Sequence, residues 1–465
     1  MKEEIMRQLV VKAGYVLSLT ILSALFVVAP AHADTTSFKK EFPRLGGIQI
    51  GRTKYDGHYA NPQYQAELAK LDFAVIGGVY GISEAAQAVK AINPDVVLAK
   101  YVNAWNVFAN NNDRFAKNMI ALVNRGKGPN NTNVADWWAR NDAGVKTSRW
   151  PSMWSINLTE FVQPNENGER WPEIQAKYHY DEWLHDDVWD FWYSDDVYWR
   201  VRQGHDGTYP DWNGRGTRSL TPAQRNAAFR KGHQNSWRAM RALTPGKMIM
   251  ANSADWPNHE DALGRRDLPE YDQQVEGGLL ENVMDSTRND HWPTVITKYR
   301  RMMSYLKAPG IMIFAVHGHP TDYKFFRYTF ATCLLNDGYF EFSPNNGYAY
   351  GSVEWFDEFD LAGRASTSWL GVAVSQPPSK AWQKGVWRRD FQNGMALVNP
   401  ARNGQQTVTI ENGFRRIQGV QDPAVNNGQS TTTITLQAGD GIVLIRETAA
   451  QLPSPPEAPV LRIGS

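Results

Sequence analysis

Short apolar runs alternate with longer amphipathic runs through most of the chain, and this alternation restricts the fold more than any other feature. The apolar runs are typical of buried strands, and the amphipathic runs are typical of helices. We predict eight strands: Gly47–Gly51, Phe73–Gly77, Val96–Val102, Met153–Asn157, Val188–Asp195, Lys247–Ala251, Val275–Glu281 and Ile311–Val316. Parallel strands need crossover helices, so eight such units predict an α/β fold, a (β/α)8 TIM barrel. A doubly wound open sheet is the alternative, but the first strand lacks the Gly-x-Gly-x-x-Gly turn of a nucleotide-binding fold.

The C-terminal part of the chain has a different pattern. From about Trp369 onward, short runs of alternating apolar and polar residues are separated by turn residues, which predicts antiparallel strands. We therefore expect the barrel over residues 34–368, a small antiparallel β-sandwich over 369–446 and a Pro-rich tail over 447–465.

The N-terminus resembles an export sequence. Three basic residues precede an apolar run from Ala13 to Val28, and Ala31-His32-Ala33 follows it. This layout predicts a signal peptide over residues 1–33 and export to the periplasm or the outside of a bacterial cell. The alternative is an uncleaved membrane anchor, because the run is near the lower length limit of a span. Once the signal is removed, we expect no stable membrane insertion.

Composition excludes several classes of function. Lys and Arg (49) nearly balance Asp and Glu (48), and no long basic run is present, so a nucleic-acid partner is not expected. The single cysteine, Cys333, rules out an intramolecular disulfide. His317 and His319 have no third ligand nearby in the sequence, and no phosphate loop or nucleophile elbow occurs. We predict neither a metal nor a cofactor.

Aromatic residues are frequent: the chain has 18 Trp, 19 Tyr and 19 Phe. Many lie in polar, loop-like stretches, where a ring can cover the C–H face of a sugar while its neighbours bind the hydroxyls. Others belong to the core. The pattern favours a carbohydrate ligand.

Two acidic residues stand at the ends of predicted strands. The aromatic run from Trp189 leads into Asp195 and Asp196, and Glu281 ends a later strand. Strand alternation places Asp195 on the face of Tyr193, whereas Asp196 points the other way or enters the loop. The C-terminal strand ends of a barrel carry its reacting groups, so we predict Asp195 and Glu281 as a catalytic pair.

Each acid also has a structural alternative. Asp195 could cap a helix, and Glu281 could form an ion pair with Arg288 or Arg301. Other polar or aromatic residues near the strand ends are predicted to bind substrate: Tyr101, Asn103, Trp105, Asn157, Tyr193, Asp196, Asn252, Asp255, His317 and His319. Asp255 is also the reserve acid.

Several segments together resemble one family of proteins. They are Trp137–Gly144, Met153–Thr159, Asp190–Asp196, Trp355–Asp360 and Phe391–Pro400. The chain from about Phe42 to Arg446 is similar to glycosyl hydrolase-like family 15, a group of glycoside hydrolase-like (β/α)8-barrel proteins. This resemblance implies a carbohydrate-active barrel with a β-sandwich behind it. Related barrels usually have Asp-Gly-x-x-x-Asp at the fifth strand, and here Phe191 replaces the glycine.

These observations together predict an exported glycoside hydrolase that cleaves a polysaccharide or oligosaccharide with two carboxylates. The first alternative is a non-catalytic carbohydrate-binding barrel in exopolysaccharide export or assembly. The second is a polysaccharide lyase or deacetylase.

Overall fold

The computed structural model describes residues 38–51, 53–78, 80–109, 113–130, 132–252, 271–285 and 292–447. The predicted signal peptide and residues 448–465 of the predicted tail lie outside these ranges. Within them, no helix combines the length and the apolar character needed to cross a membrane.

Eight parallel strands form the main sheet. In chain order they are β1 (Gly46–Gln49), β2 (Phe73–Ile76), β3 (Val97–Asn103), β4 (Phe191–Asp195), β5 (Met248–Asn252), β6 (Gly277–Asp285), β7 (Ile311–Gly318) and β8 (Tyr339–Pro344). Each strand pairs with the next one along the chain. Leu45 also bridges Phe340, where the N–H of Phe340 donates to the carbonyl of Arg44 over 2.8 Å, and this contact nearly closes the barrel. The predicted (β/α)8 barrel is confirmed.

Helices follow most of the strands. They are α1 (Pro62–Leu68), α2 (Ile82–Ile92), α3 (Arg114–Val123), α4 (Trp171–His179), α5 (Pro222–Leu243), α6 (Trp292–Met303) and α7 (Tyr323–Leu334). Local sequence explains where some of them begin. The side chain of Asn61 accepts hydrogen bonds from two backbone N–H groups of α1, and Thr221 and Gln224 form a capping box at the start of α5.

Alternation along the strands separates two layers of packing. The rings of Phe73, Phe191 and Tyr339 pack against one another, with centroids 5.4 and 5.8 Å apart. Their strand neighbours, such as Ala74 and Trp192, belong instead to the core cluster that includes helix residues. Successive strand residues point to opposite faces, so every second residue of β4 points into the barrel.

Two long connections leave the C-terminal edge of the barrel after β3 and β4. They contain α3 and two small antiparallel sheets, which pair Asn106–Phe108 with Met153–Ser155 and Lys127–Pro129 with Val162–Gln163. The connections share a buried cluster with α4 and α5, here called the second aromatic cluster, whose large rings are Trp105, Trp137, Trp138, Trp171, Trp212 and Phe229. Many tryptophans in polar sequence are therefore core residues.

The prediction of Met153–Asn157 as the fourth barrel strand is wrong. Met153–Ser155 pairs with Asn106–Phe108 outside the barrel. The eighth barrel strand is β8, which the sequence analysis missed because Glu341 interrupts its apolar run. The predicted fifth to eighth strands are consequently the fourth to seventh of the barrel.

The predicted β-sandwich follows the barrel. The short helix α8 (Asp357–Asp360) lies between them. Its strands are β9 (Trp387–Phe391), β10 (Gly394–Asn399), β11 (Gln406–Thr409), β12 (Phe414–Arg416), β13 (Thr433–Leu436) and β14 (Asp440–Arg446). One antiparallel sheet has the order β9-β10-β14-β12, and the other pairs β11 with β13. Met395 and Leu397 pack in the core shared by the sheets, whereas Ala396 and Val398 belong to the barrel's cluster.

The sandwich is bonded to the barrel by buried arginines. Arg327 of α7 lies 3.6 Å from the carboxylate of Asp440 and also contacts Asp422. Arg389 of β9 donates to the carbonyl groups of Leu334 and Asn336 over 3.2 and 2.6 Å. Leu334 and Asn336 lie between the end of α7 and the start of β8, at the N-terminal edge of the barrel and opposite the mouth.

Candidate active site

Strand β4 brings its last residue to the mouth of the barrel. Phe191 packs inside the barrel, and alternation puts Tyr193 and Asp195 above it on the same face. Trp192 points outward, where its indole N–H donates to the hydroxyl of Thr244 over 2.8 Å. The aromatic neighbours therefore hold the Asp195 backbone firmly at the C-terminal edge.

One amide joins the carboxylates of Asp195 and Glu281. The side-chain NH2 of Asn252 donates to Oδ1 of Asp195 and to Oε2 of Glu281, each over 3.0 Å. Two oxygens that each lie 3.0 Å from one nitrogen are no more than twice that distance apart, so the facing oxygens of the two acids are close neighbours. Strands β4, β5 and β6 thus place two acids side by side.

Two tyrosines bind the outer oxygens of the pair. The hydroxyl of Tyr101 donates to Oδ2 of Asp195 over 2.7 Å, and the hydroxyl of Tyr350 donates to Oε1 of Glu281 over 2.7 Å. The ring of Tyr193 stacks on that of Tyr101, with centroids 5.8 Å apart. Each carboxylate therefore has one donor of its own and shares the donor of Asn252.

Burial raises the pKa of the Asp195 carboxyl to about 7. The negative charges of Asp196 and Glu281 contribute to this raised value, whereas the hydrogen bonds from Tyr101 and Asn252 oppose it. Near neutral pH the Asp195 carboxyl therefore retains a proton, and this is the protonation state that acid catalysis requires. Its neighbour Glu281 is held by the amide of Asn252 and the hydroxyl of Tyr350, which are both uncharged.

Asp196 lies behind the pair. Its backbone has a φ of 56°, which turns its side chain away from that of Asp195, and it is only 4% exposed. Its carboxylate accepts hydrogen bonds from four side chains at 2.7–3.1 Å: Asn103, Asn106, Trp150 and Tyr198. Asp196 was predicted to bind substrate, but these donors occupy both its oxygens. Its carboxylate instead holds the four donor side chains together, and Asp196 is here called the anchor.

Several other predicted residues meet at the barrel mouth. They are Tyr101, Tyr193, Asn252 and His317. The ring of His317 lies 4.9 Å from that of Tyr350. Asn103 connects the pair to its anchor, because its amide lies 2.8 Å from Oδ2 of Asp196 and 3.5 Å from the hydroxyl of Tyr101.

The structure buries two of the predicted substrate-binding residues away from the mouth and leaves a third, His319, at the C-terminal edge of the barrel. Trp105 is 1% exposed in the second aromatic cluster, and its N–H donates to the backbone carbonyl of Asp196. Asn157 is buried and donates to the carbonyl of Trp212, because its segment is not a barrel strand. His319 is exposed in the turn after β7 and bonds Thr321.

Two residues named in the predictions cannot be placed. Asp255, the reserve acid, and Arg288, one suggested ion-pair partner of Glu281, lie outside the described residues. The other suggested partner, Arg301, does not hold the Glu281 carboxylate, which bonds Asn252 and Tyr350.

Sequence reasoning missed Tyr350 and Glu341. Tyr350 lies in the loop after β8, where its carbonyl accepts the N–H of Gly51 over 2.7 Å and its φ is 57°. Glu341 is buried within β8, burial raises its pKa to about 8, and the hydroxyl of Ser343 donates to it. An acid inside the apolar run Tyr339–Phe342 was the available signal for both, since it marks a strand whose interior face is polar.

Known proteins were compared with this chain by sequence and by structure. No curated protein sequence matches it. Amy13B of Eubacterium rectale is 7% identical, with a TM-score of 0.50 over 88% of this chain and 97% of that one. An α-amylase of Geobacillus thermoleovorans is 9% identical, with a TM-score of 0.43 over 88% and 98%. The glycoside hydrolase domain of PelA from Pseudomonas aeruginosa is 12% identical, with a TM-score of 0.40 over 68% and 98%.

At 7% identity, the likeness to Amy13B shows a shared fold alone. The sequence comparison goes further. The family model described as Hypothetical glycosyl hydrolase family 15 matches residues 90–395, a range that runs from α2 to the start of β10 and contains Asp195, Asn252, Glu281 and Tyr350. The match covers more than half of the chain, and the chain therefore belongs to Hypothetical glycosyl hydrolase family 15.

Proposed function

We propose that the protein is an exported, retaining glycoside hydrolase that uses Asp195 and Glu281 on a polysaccharide or oligosaccharide. The family and the barrel fold support a glycosidase. The observation that carries the finer proposal is the Asn252 amide between the two carboxylates. In retaining enzymes the two carboxyl groups are about 5–5.5 Å apart, and an amide shared between facing oxygens of the two acids suits that close spacing.

The reaction follows from this spacing. One carboxyl donates its proton to the glycosidic oxygen while the other carboxylate attacks the anomeric carbon, so the leaving group departs as an alcohol and a glycosyl ester forms. The first group, now ionised, then removes a proton from water. That water attacks the anomeric carbon, releases the second carboxylate and leaves the configuration of the sugar unchanged.

The surrounding donors support both steps. Tyr101 and Tyr350 each fix one carboxylate from outside, so the two groups face the same space above Asn252. The raised pKa of Asp195 supplies the single proton with which the cycle begins. Whichever of Asp195 and Glu281 carries that proton when the glycan is bound is the acid, and the other is the nucleophile. The azide experiment below assigns the two roles.

The first experiment is reducing-end release by the protein starting at Asp34, on a broad panel of bacterial and plant glycans. We expect release by the wild type and loss of release in Asp195→Asn and in Glu281→Gln. Asp95→Asn and Glu84→Gln are matched controls, because both side chains are exposed, Asp95 just before β3 and Glu84 in the first turn of α2, and neither bonds the pair. Near wild-type turnover in both site variants would overturn the assignment.

Stereochemistry tests the spacing separately. NMR of the first product should show the anomeric configuration of the substrate, and an inverted product would contradict retention. Azide then assigns the roles. The variant that lacks the acid should give a glycosyl azide with the configuration of the substrate, and the variant that lacks the nucleophile should give the opposite anomer.

The same assays separate the alternatives. A carbohydrate-binding barrel would bind a glycan without product, a lyase would create ultraviolet-absorbing unsaturated ends, and a metal-dependent deacetylase would lose activity on chelation. Export is tested by the N-terminus of the protein recovered outside the cytoplasm, which should be Asp34; an intact N-terminus in the membrane fraction would indicate the anchor instead.

A further inference from the structure

We propose that Arg149 and Trp150 form a subsite for a sugar residue that carries a negatively charged group, beside the carboxylate pair. The inference rests on the proposed function, since it takes the barrel mouth as the glycan site and names the class of glycan. The charged group can be the carboxylate of a uronic acid, a sulfate or a phosphate, because a guanidinium binds all three through the same paired N–H donors.

The side chain of Trp150 is partly exposed, and its indole N–H is fixed by hydrogen bonds. Its indole N–H donates to both carboxylate oxygens of Asp196, over 3.0 and 3.1 Å, yet the residue is 40% exposed. The rings of the second aromatic cluster, by contrast, are buried. Arg149 lies over one face of the Trp150 ring, so the other face is the one that would stack against a sugar.

The ring is also close to the reacting groups. Its anchor, Asp196, directly follows Asp195, so their Cα atoms are about 3.8 Å apart. A second path runs through Asn103, whose amide contacts both Asp196 and the hydroxyl of Tyr101. A sugar on Trp150 would therefore be a near neighbour of the sugar whose bond is cleaved.

Arg149 adds a positive charge to this ring. Its guanidinium carbon lies 4.2 Å from the centroid of Trp150 and 5.4 Å from that of Tyr198. Its Nε is buried and has no hydrogen-bond partner among the described residues. Two other arginines of the connection after β3 are paired with carboxylates, Arg140 with Asp136 over 2.6 Å and Arg114 with Glu182 over 3.1 Å. No carboxylate of the described residues forms such an ion pair with Arg149.

Positive as well as negative charge lies beside the Trp150 ring. The carboxylate of Asp196 is bound by four side-chain donors, which disperse its charge. Arg202 lies over the ring of Tyr198 at 4.5 Å and brings a second guanidinium to the same rim. The net charge of +1 for the whole chain is compatible with a local positive patch, because charges elsewhere in the chain can balance it.

The test measures binding without turnover. Titration calorimetry on Asp195→Asn would compare oligosaccharides that contain uronic acid, sulfate or phosphate with their carboxyl-reduced, desulfated or dephosphorylated forms. We expect tighter binding of the charged form in one of these pairs. Adding Arg149→Gln should weaken that binding about 10–100-fold and leave the uncharged form unaffected, whereas Arg149→Lys should restore part of the affinity.

Further variants separate the ring from the charge. Trp150→Ala should weaken both forms of the ligand, because stacking does not depend on the charged group. Arg402→Gln and Trp382→Ala, which alter exposed residues of the β-sandwich, should change neither. Thermal unfolding of every variant shows whether it is folded, and Trp150→Phe keeps an aromatic ring if Trp150→Ala is not.

The outcomes distinguish this inference from the proposed function. Equal affinity for charged and uncharged forms, no binding of any charged glycan, or no effect of Arg149→Gln would overturn the subsite, even if a neutral glycan is hydrolysed. Selective binding of a charged glycan with no hydrolysis by the wild type would uphold the subsite and contradict the hydrolase.

Discussion

Asp195 and Asp196 are adjacent in the chain, but their carboxylates lie in opposite environments. Asp195 faces the barrel mouth, shares one amide with Glu281 and has one further donor in Tyr101. Asp196 faces the connections that follow β3 and β4, where four side chains donate to it. A positive φ at Asp196 separates the two regions.

The difference separates a carboxyl group whose surroundings suit proton transfer from one whose surroundings suit a structural role. A carboxylate with many donors gains hydrogen bonds by staying ionised, and losing it leaves buried donors unpaired. A carboxyl that is buried beside another acid retains a proton more readily. Glu281 is therefore what distinguishes the Asp195 region, and the donor side chains are what distinguish the Asp196 region.

The largest effect should come from breaking the reactive region. Asp195→Asn and Glu281→Gln should each lower kcat by about 10³-fold or more, because in the proposed mechanism each removes a group that takes part in bond making or proton transfer. Neither should lower the melting temperature markedly, since an amide keeps the shape and removes like-charge repulsion. Steady-state kinetics and calorimetry check this. A large fall in melting temperature with kcat preserved would reverse the roles of the two regions.

Breaking the anchor should reverse this pattern. Asp196→Ala leaves four donors without an acceptor, among them the buried amide of Asn106, and should lower the free energy of unfolding by about 3 kcal/mol. Asp195→Ala removes fewer hydrogen bonds and relieves repulsion, so its loss should be smaller. Urea unfolding followed by tryptophan fluorescence measures both. Equal losses would mean that donor number does not set the difference.

A smaller change tests the hydrogen bonds to each acid. Tyr101→Phe removes a hydrogen bond that lowers the pKa of Asp195, so the limb of the pH–rate profile that reports Asp195, expected near pH 7, should move to higher pH. Tyr198→Phe removes a comparable hydroxyl from Asp196 and should leave that limb in place. The measurement is the pH dependence of kcat/KM for the wild type and both variants. A shift of the limb in Tyr198→Phe but not in Tyr101→Phe would contradict the assignment of that limb to Asp195.

Much of the fold was predictable because seven of the eight barrel strands are apolar runs. The eighth, Tyr339–Pro344, contains Glu341, and an acid in a strand signals a polar interior that periodicity alone does not reveal. Met153–Ser155 has the local pattern of a strand and is one, but its partner, Asn106–Phe108, lies outside the barrel. Local pattern identifies a strand and not the sheet to which it belongs.

The same reasoning explains which site residues could be predicted. Asp195, Asn252 and Glu281 end or follow apolar strands, so their place at the mouth follows from the barrel. Tyr350 follows the strand that was missed, and its contact with Glu281 depends on a loop conformation. Trp105 and Asn157 were misassigned because packing within the second aromatic cluster is tertiary and leaves no mark in local sequence.

The pH dependence of stability should also reflect the surroundings of Asp195. The folded-state pKa of Asp195, about 7, lies above that of an unfolded aspartate, so the folded protein binds more protons between about pH 4 and 7. Its stability should therefore fall as pH rises through this window. Burial gives Glu341 and Glu358 the same sign, with pKa values of about 8 and 7, so the wild-type slope has several sources.

Comparison with Asp195→Asn isolates the share of Asp195. Urea unfolding from pH 4.5 to 8 should show a shallower fall for the variant than for the wild type, with the two curves diverging most between pH 5 and 7. Glu341→Gln should flatten the curve at higher pH, toward pH 8. If Asp195→Asn ran parallel to the wild type throughout, Asp195 would be ionised in the folded protein across the whole window. In that case the carboxylate pair would take up its proton only when the substrate binds, and the free enzyme would not hold it.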